Sequence, residues 1–170
     1  MALMRQIAAL QRGLAERECT VVPPPVPVAA PPADGFDPEA FRRRDTALLD
    51  GCWELDSEYR TVNERTSAVT HYSDWTICFE PGGAGRESMI GRQGSTTITC
   101  EGPVTRAFDA EGALLITEPA NLPCSNGSHI FRREITCQLD ASGRADCSVL
   151  QPERSRTRSV VALRRAEGRP

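Results

Sequence analysis

The chain has 170 residues, with 20 basic and 23 acidic side chains and a formal charge of −3, and every basic residue is an arginine. A slightly acidic balance gives no electrostatic basis for nucleic-acid binding, and no apolar run approaches the ~18 residues needed to cross a bilayer. Seven cysteines stand against two histidines with no CxxC pair, which leaves no metal-ligand spacing and no implied metal or cofactor. Such cysteines point to disulfides formed in an oxidising compartment, periplasmic or otherwise extracytoplasmic.

Residues 1–20 read as a helical or coiled-coil stalk remnant. Leu3, Ile7, Leu10 and Leu14 form one stripe across residues 1–18, and so short a helix is marginal alone. The stripe suits either a frayed tail or the end of a longer coiled stalk that forms a homo-oligomer through residues 1–18. Arg5, Gln6, Gln11 and Arg12 interrupt the apolar residues, so this segment is no signal peptide. Cysteines that require export without an export signal imply a piece of a longer protein, with its signal or membrane anchor upstream.

Residues 21–35 form a Pro-rich linker: Val21 to Pro32 holds six prolines, a composition that favours an extended, semi-rigid spacer. Cys19, the odd cysteine, lies before it as a free thiol or an intermolecular bridge. Residues 36–50 then predict a short capping helix. Asp37 suits the N-cap, Pro38 the first helical position and Glu39 the positive end of the dipole. Phe41 and Leu48 share one face of it.

Residues 51–166 are nearly all strand and turn. Trp53, Leu55 and Tyr59 alternate, as do Trp75, Ile77 and Phe79. Further strands are predicted at 86–91, 95–101, 103–108, 113–118, 129–139, 144–150 and 158–164. Pro81-Gly82-Gly83 and two Asp-Ala-x-Gly turns, at Asp109–Gly112 and Asp140–Gly143, punctuate them. Eight or nine short strands at even spacing predict an all-β sandwich or closed antiparallel barrel.

Turn register predicts the disulfides. If Asp140 and Arg144 close their loop, Cys137 faces Cys147 as a non-hydrogen-bonded pair, with α-carbons ~4.5 Å apart. A hairpin centred near Arg65 brings Cys52 opposite Cys78. The Asp109–Gly112 turn sets Cys100 near Leu122, and a kink at Pro123 absorbs the offset to Cys124. The expected bridges are Cys52–Cys78, Cys100–Cys124 and Cys137–Cys147, each stabilising by roughly 2–4 kcal/mol.

Gly51-Cys52-Trp53 opening the first strand and Leu163-Arg164-Arg165 closing the last resemble the lipocalin-type, or calycin, arrangement. That likeness implies a small lipocalin-like barrel whose floor tryptophan, Trp53, lies under a late arginine, Arg164 or Arg165, with Arg164 taken as the structural partner. A second likeness spans roughly residues 98–148. Cys100-Glu101-Gly102-Pro103-Val104, Leu114-Leu115-Ile116, Cys124-Ser125-Asn126-Gly127-Ser128, Ile135-Thr136-Cys137 and Ala145-Asp146-Cys147 are similar to the C-terminal domain of bacterial SrfA-type virulence proteins. Gln6-Ile7-Ala8-Ala9-Leu10 and the prolines resemble the coil and linker after that family's membrane anchor. The resemblance implies an extracytoplasmic domain on a stalk and brings no activity with it.

Catalytic constellations are weak. A nucleophile triad needs a histidine oriented by a carboxylate, and His71 near Asp74 and His129 after Ser125 and Ser128 read as strand-end histidines. Glu54 and Asp56 share a face of one strand, the solvent face. Glu80 to Gly85 lacks the lysine and helix of a phosphate loop. Arg42–Arg44 and Arg154, Arg156 and Arg158 read as solvated faces. Asn126-Gly127-Ser128 reads as a turn rather than a glycan acceptor.

These observations point to a non-enzymatic extracytoplasmic binding or interaction module on a membrane-anchored bacterial protein. Leu55, Trp75, Ile77, Ile98, Phe108 and Leu114 line or fill the barrel. The partner would be a protein, a small apolar molecule or a cell-wall ligand, with membrane contact only through the upstream anchor. The alternatives are a proteinaceous inhibitor of an exported protease, acting through Val21–Pro32, and a purely structural assembly module.

Overall fold

The structure is a computed structural model that describes residues 35–55, 58–140, 144–154 and 158–166. The stalk helix over 1–18, Cys19 and the linker at 21–35, all but Gly35, lie outside the described residues.

Helix α1 (Pro38–Arg42) begins where predicted. The Asp37 carboxylate accepts from the Glu39 and Ala40 backbone N–H groups, and Pro38 fills a position that needs no donor. The single helix expected over 36–50 is not formed. Arg44 adopts a left-handed φ of 56°, and a new 3-10 turn, Thr46–Leu49, starts from its own cap at Asp45. The two short helices bury Phe36, Ala40, Phe41, Leu48 and Leu49. Phe36 packs on Trp53 with ring centroids 4.6 Å apart, and Phe41 meets the edge of Phe108 at 5.1 Å. One end of the barrel, the floor, is thereby sealed with apolar side chains.

Among the described residues twelve strands follow: β1 (Gly51–Leu55), β2 (Tyr59–Val62), β3 (Val69–Phe79), β4 (Gly85–Gln93), β5 (Thr96–Phe108), β6 (Leu114–Thr117), β7 (Leu122–Pro123), β8 (His129–Ile130), β9 (Glu134–Leu139), β10 (Ala145–Leu150), β11 (Ser159–Val161) and β12 (Leu163–Arg165). The main sheet is antiparallel with neighbours in the order β11-β10-β9-β6-β5-β4-β3-β1-β12, while β2 pairs the first part of β3 beyond β1. Its two end strands, β11 and β12, are separated along the chain by Ala162 alone. The last segment of the chain thus pairs β10 on one side and β1 on the other and nearly closes the barrel. Near-closure removes most of the exposed edge that an open sheet presents.

Three differences from the predicted strands have physical causes. The segments 95–101 and 103–108 are one strand, β5, running through Pro103. At that point β5 has a single partner, β4, so one edge needs no donor. The segment 129–139 breaks into β8 and β9 around Phe131–Arg133, and 158–164 splits so that each half serves a different edge of the sheet. A bulge in β3 between Tyr72 and Asp74 shifts the inward alternation from Phe79, Ile77 and Trp75 to Tyr72 and Thr70.

The disulfides are Cys52–Cys78, Cys100–Cys124 and Cys137–Cys147, each with α-carbons 4.0 Å apart. The first joins β1 to β3 and the third joins β9 to β10, in the registers that face those cysteines directly. The Asp140 loop closes as expected, its N–H bonded to the Arg144 carbonyl at 2.8 Å. Cys100 meets Cys124 through an isolated bridge, two residues beyond the β5–β6 register. That bridge pins the excursion between β6 and β9 to the free edge of β5, where the Ser125 N–H also donates to the Thr99 carbonyl at 2.8 Å. Three disulfides in a small barrel fit an oxidising, extracytoplasmic environment.

Register also corrects the floor pair. Trp53 lies opposite Arg165, whereas Arg164 lies opposite Glu54. Side chains directly opposite in a ladder share a face, so Arg165 covers the Trp53 ring at 4.6 Å. Arg164 instead turns to the outer wall and pairs with Glu54 at 2.9 Å. The Trp53 indole N–H donates to the Leu49 carbonyl at 2.9 Å, which ties barrel to helix.

Candidate binding site

Leu55, Trp75, Ile77, Ile98 and Leu114 point inward and are buried, and Phe108 is half-buried at the floor against Phe41. These six side chains belong to one packed cluster. The interior at their level is filled by protein, each large apolar side chain contributing about 1.5–3 kcal/mol on burial.

Beside these apolar side chains, with Glu87 directly opposite Ile77, the interior also holds an ionic cluster. The alternation that buries Leu114 and Ile116 on β6 carries on to Glu118, and the one that buries Cys137 and Ile135 on β9 carries back to Arg133. The two residues continue the β6–β9 register, with the Glu118 N–H donating to the Arg133 carbonyl at 3.1 Å. Glu87 arrives from β4, next to Met89 on the inward face. The three side chains are between 0% and 3% exposed.

Their hydrogen bonds form a closed set. Glu118 accepts from the Arg133 backbone N–H at 2.7 Å and from Nε at 2.8 Å. Arg133 Nη2 bridges the Glu87 and Glu118 carboxyls, and Nη1 rests on the Met89 sulfur at 3.0 Å. The guanidinium lies over the Trp75 ring at 4.2 Å and beside Tyr59 at 5.4 Å. Burial pulls the Arg133 pKa down, but Glu87 and Glu118 more than offset it, so the guanidinium stays protonated.

Two carboxylates around one guanidinium would leave a net charge in a dry core, at a cost of several kcal/mol. The cluster relieves this by favouring the protonated form of Glu87. Burial pushes the Glu87 carboxyl well above its ordinary value; Arg133 opposes the shift, and Glu118 beside it adds to it. The Trp75 indole N–H meets no acceptor in hydrogen-bond geometry, yet it stands near enough to favour the ionised carboxyl slightly. Glu87, Glu118 and Arg133 were not singled out from the sequence. Their signal is the inward parity of Glu118 and Arg133 in strands otherwise lined by apolar residues.

Tyr59 and Tyr72 cover this cluster. Tyr59 packs on Trp75 at 4.8 Å and on Tyr72 at 6.0 Å, and its hydroxyl accepts from Gln151 Nε2 at 3.4 Å. The Tyr72 hydroxyl lies 3.6 Å from the Cys100 sulfur. Burial raises both tyrosine pKa values, with Arg133 acting in the opposite sense, so both hydroxyls are neutral donors.

Two grooves open on these tyrosines. A mouth groove of about 600 Å³ lies at the barrel end away from the helices, among the β2–β3 hairpin, the β7–β8 excursion and the segment after β10. Besides the tyrosines it presents Phe131, His129, Asn126 and Gln151. Its walls are joined where Arg154 pairs with Glu64 at 2.6 Å and stacks on Phe131 at 5.1 Å. A wall groove of about 1040 Å³ runs along β1–β4, is bordered by the predicted Leu55 and Trp75 as well as by Glu54 and Arg164, and shares Tyr59, Arg60 and Tyr72 with the mouth. The ionic cluster lines neither groove; it supports the tyrosine floor from beneath.

His71 stands between Arg60 and Arg92 across the sheet, and His129 packs edge-on against Phe131 at 5.3 Å. No family model, no curated protein and no solved structure matches the chain.

Proposed function

We propose that the chain is a non-catalytic binding module, the exported periplasmic C-terminal domain of a membrane-anchored bacterial protein, which takes a polar cell-wall saccharide at the barrel mouth. One observation carries this reading. The only end of the barrel not sealed by the helices opens, among the described residues, on a groove of aromatic faces and side-chain amides above a packed interior. Aromatic rings with a polar tip suit ligands that are apolar on one face and hydroxylated at the edge, and a few placed amides fix orientation. A small apolar ligand that entered the packed interior would have to displace the buried Arg133 cluster, leaving charges unpaired at a cost of about 3–5 kcal/mol. The three disulfides and the likeness to SrfA-type C-terminal domains support the exported setting.

Isothermal titration of the oxidised chain with soluble cell-wall saccharides tests the reading. Saturable binding is expected, weakened at least tenfold by Gln151→Ala and by Phe131→Ala, both of which border the groove. Binding of a fluorescent fatty acid that ignores both substitutions, or no saccharide binding at all, would overturn it.

A further inference from the structure

Register places three basic side chains in one line on the outer wall. Arg60 on β2 lies opposite His71 on β3, and His71 lies opposite Arg92 on β4. All three are exposed, whereas their chain neighbours Tyr59, Tyr72 and Gly91 turn inward. Adjacent strands stand about 4.8 Å apart, so the row repeats at that interval perpendicular to the strands.

Elsewhere in this barrel arginines on neighbouring strands meet carboxylates. Arg86 on β4 pairs with Glu101 on β5 at 2.8 Å, and Arg164 on β12 pairs with Glu54 on β1 at 2.9 Å. Among the described residues no carboxylate pairs with Arg60 or with Arg92. Carboxylates do border the same groove toward the floor. Glu54 is taken by Arg164, Asp74 accepts from the Thr76 hydroxyl at 2.9 Å, and Glu58 stands beside β2. Arg60 and Arg92 therefore stand on the mouth side of the groove without an ion-pair partner among the described residues, and Arg60 lines both grooves.

We infer that the row Arg60–His71–Arg92 binds an acidic polysaccharide, whose carboxylates lie across the strands while its chain continues over Arg60 into the mouth. The inference rests on the mouth being the saccharide groove and supplies the ligand's class. Guanidinium groups recognise carboxylates with paired hydrogen bonds. An extended acidic peptide would offer the row the same carboxylate chemistry. A carboxylated sugar chain also brings hydroxyl groups to the mouth amides, which an oligoglutamate does not.

The test uses the full oxidised chain and three polymer probes: polygalacturonate, its methyl-esterified neutral form and polyglutamate. Polygalacturonate is expected to bind at least tenfold more tightly than either of the others, with an affinity that falls as salt rises. The double variant Arg60→Ser/Arg92→Ser should lose at least tenfold in polygalacturonate affinity with an unchanged melting curve, since both side chains are exposed. His71→Lys should tighten binding severalfold, and His71→Glu should weaken it. Equal binding of the neutral polymer, tighter binding of polyglutamate, or no response to the double variant would each overturn the inference. If the double variant has no effect while Gln151→Ala abolishes binding, the row is wrong and the mouth stands. If the double variant abolishes binding while Gln151→Ala and Phe131→Ala do not, the mouth reading fails on its own.

Discussion

Both ends of the barrel stack an arginine on a tryptophan, and the two stacks do different work. At the floor, Arg165 covers Trp53 at 4.6 Å and donates to the Asp50 and Leu48 carbonyls at 2.9 and 3.2 Å. Its acceptors are neutral and its charge reaches water. Below the mouth, Arg133 covers Trp75 at 4.2 Å with no solvent contact, and its charge is met by carboxyls from two other strands. The first stack is a clasp between strand and helix. The second is an ionic node on which the tyrosine floor of the groove rests, and buried ionic groups of that kind stabilise only while every partner is in place.

The largest effect should therefore come from breaking the node. Arg133→Met strands the Glu118 carboxylate, and leaves Glu87 without its donor, in an apolar core and is expected to cost about 3–5 kcal/mol of unfolding free energy, read from urea midpoints at constant m. Adding Glu87→Gln and Glu118→Gln to that variant should restore most of the loss, because neutral groups carry no stranded charge. A loss below about 1 kcal/mol for Arg133→Met alone would mean that water reaches the cluster.

A smaller effect is expected at the floor. Arg165→Ala removes a partly exposed cation–π contact and two hydrogen bonds to carbonyls and should cost roughly 1–2 kcal/mol. Its neighbour Arg164→Ala breaks only the exposed pair with Glu54, worth under about 1 kcal/mol. Thermal melts of the two variants side by side decide it. If Arg164→Ala costs the more, the register that puts Arg165 over Trp53 is wrong.

The contrast between the ends also explains what could be read from the chain. Cys137–Cys147 was legible because a short loop closed by Asp140 and Arg144 fixes the register of everything beside it. Cys52–Cys78 was expected from a hairpin centred near Arg65, and the β1–β3 register that joins them is offset by one residue from that of the β2–β3 hairpin itself. The choice between Arg164 and Arg165 was not legible. A single step flips a strand residue to the other face, and the β1–β12 register joins segments more than a hundred residues apart. The ionic node was hidden for a related reason. Arg132 and Arg133 are adjacent and alike, yet Arg132 pairs outside with Glu153 at 2.8 Å while Arg133 is buried. On β4 the apolar Ile90 faces solvent and the charged Glu87 faces in, which inverts the rule that apolar residues mark the inner face. Charges that satisfy one another across distant strands leave no local pattern.

The finest probe of the node is Glu87→Gln, whose effect depends on pH. Burial favours the protonated Glu87 in the folded protein, whereas the unfolded chain releases that proton around the ordinary value of 4.5. Between those two titrations the native state binds more protons than the unfolded state, so stability falls as pH rises, by at most about 1.4 kcal/mol per pH unit. The contribution is intact in acid and is lost upward in pH, opposite to that of a salt-bridged carboxylate with a depressed pKa. A glutamine is neutral throughout and keeps the carbonyl that Arg133 Nη2 needs. Glu87→Gln should therefore match the parent near pH 4.5 and become the more stable protein as pH rises toward 8, the gap widening until Glu87 itself titrates. Other carboxylates are common to both proteins and cancel in the difference. Parallel curves across that range would mean that Glu87 is ionised in the native barrel, and the node would then carry an uncompensated negative charge that its dry surroundings could not hold.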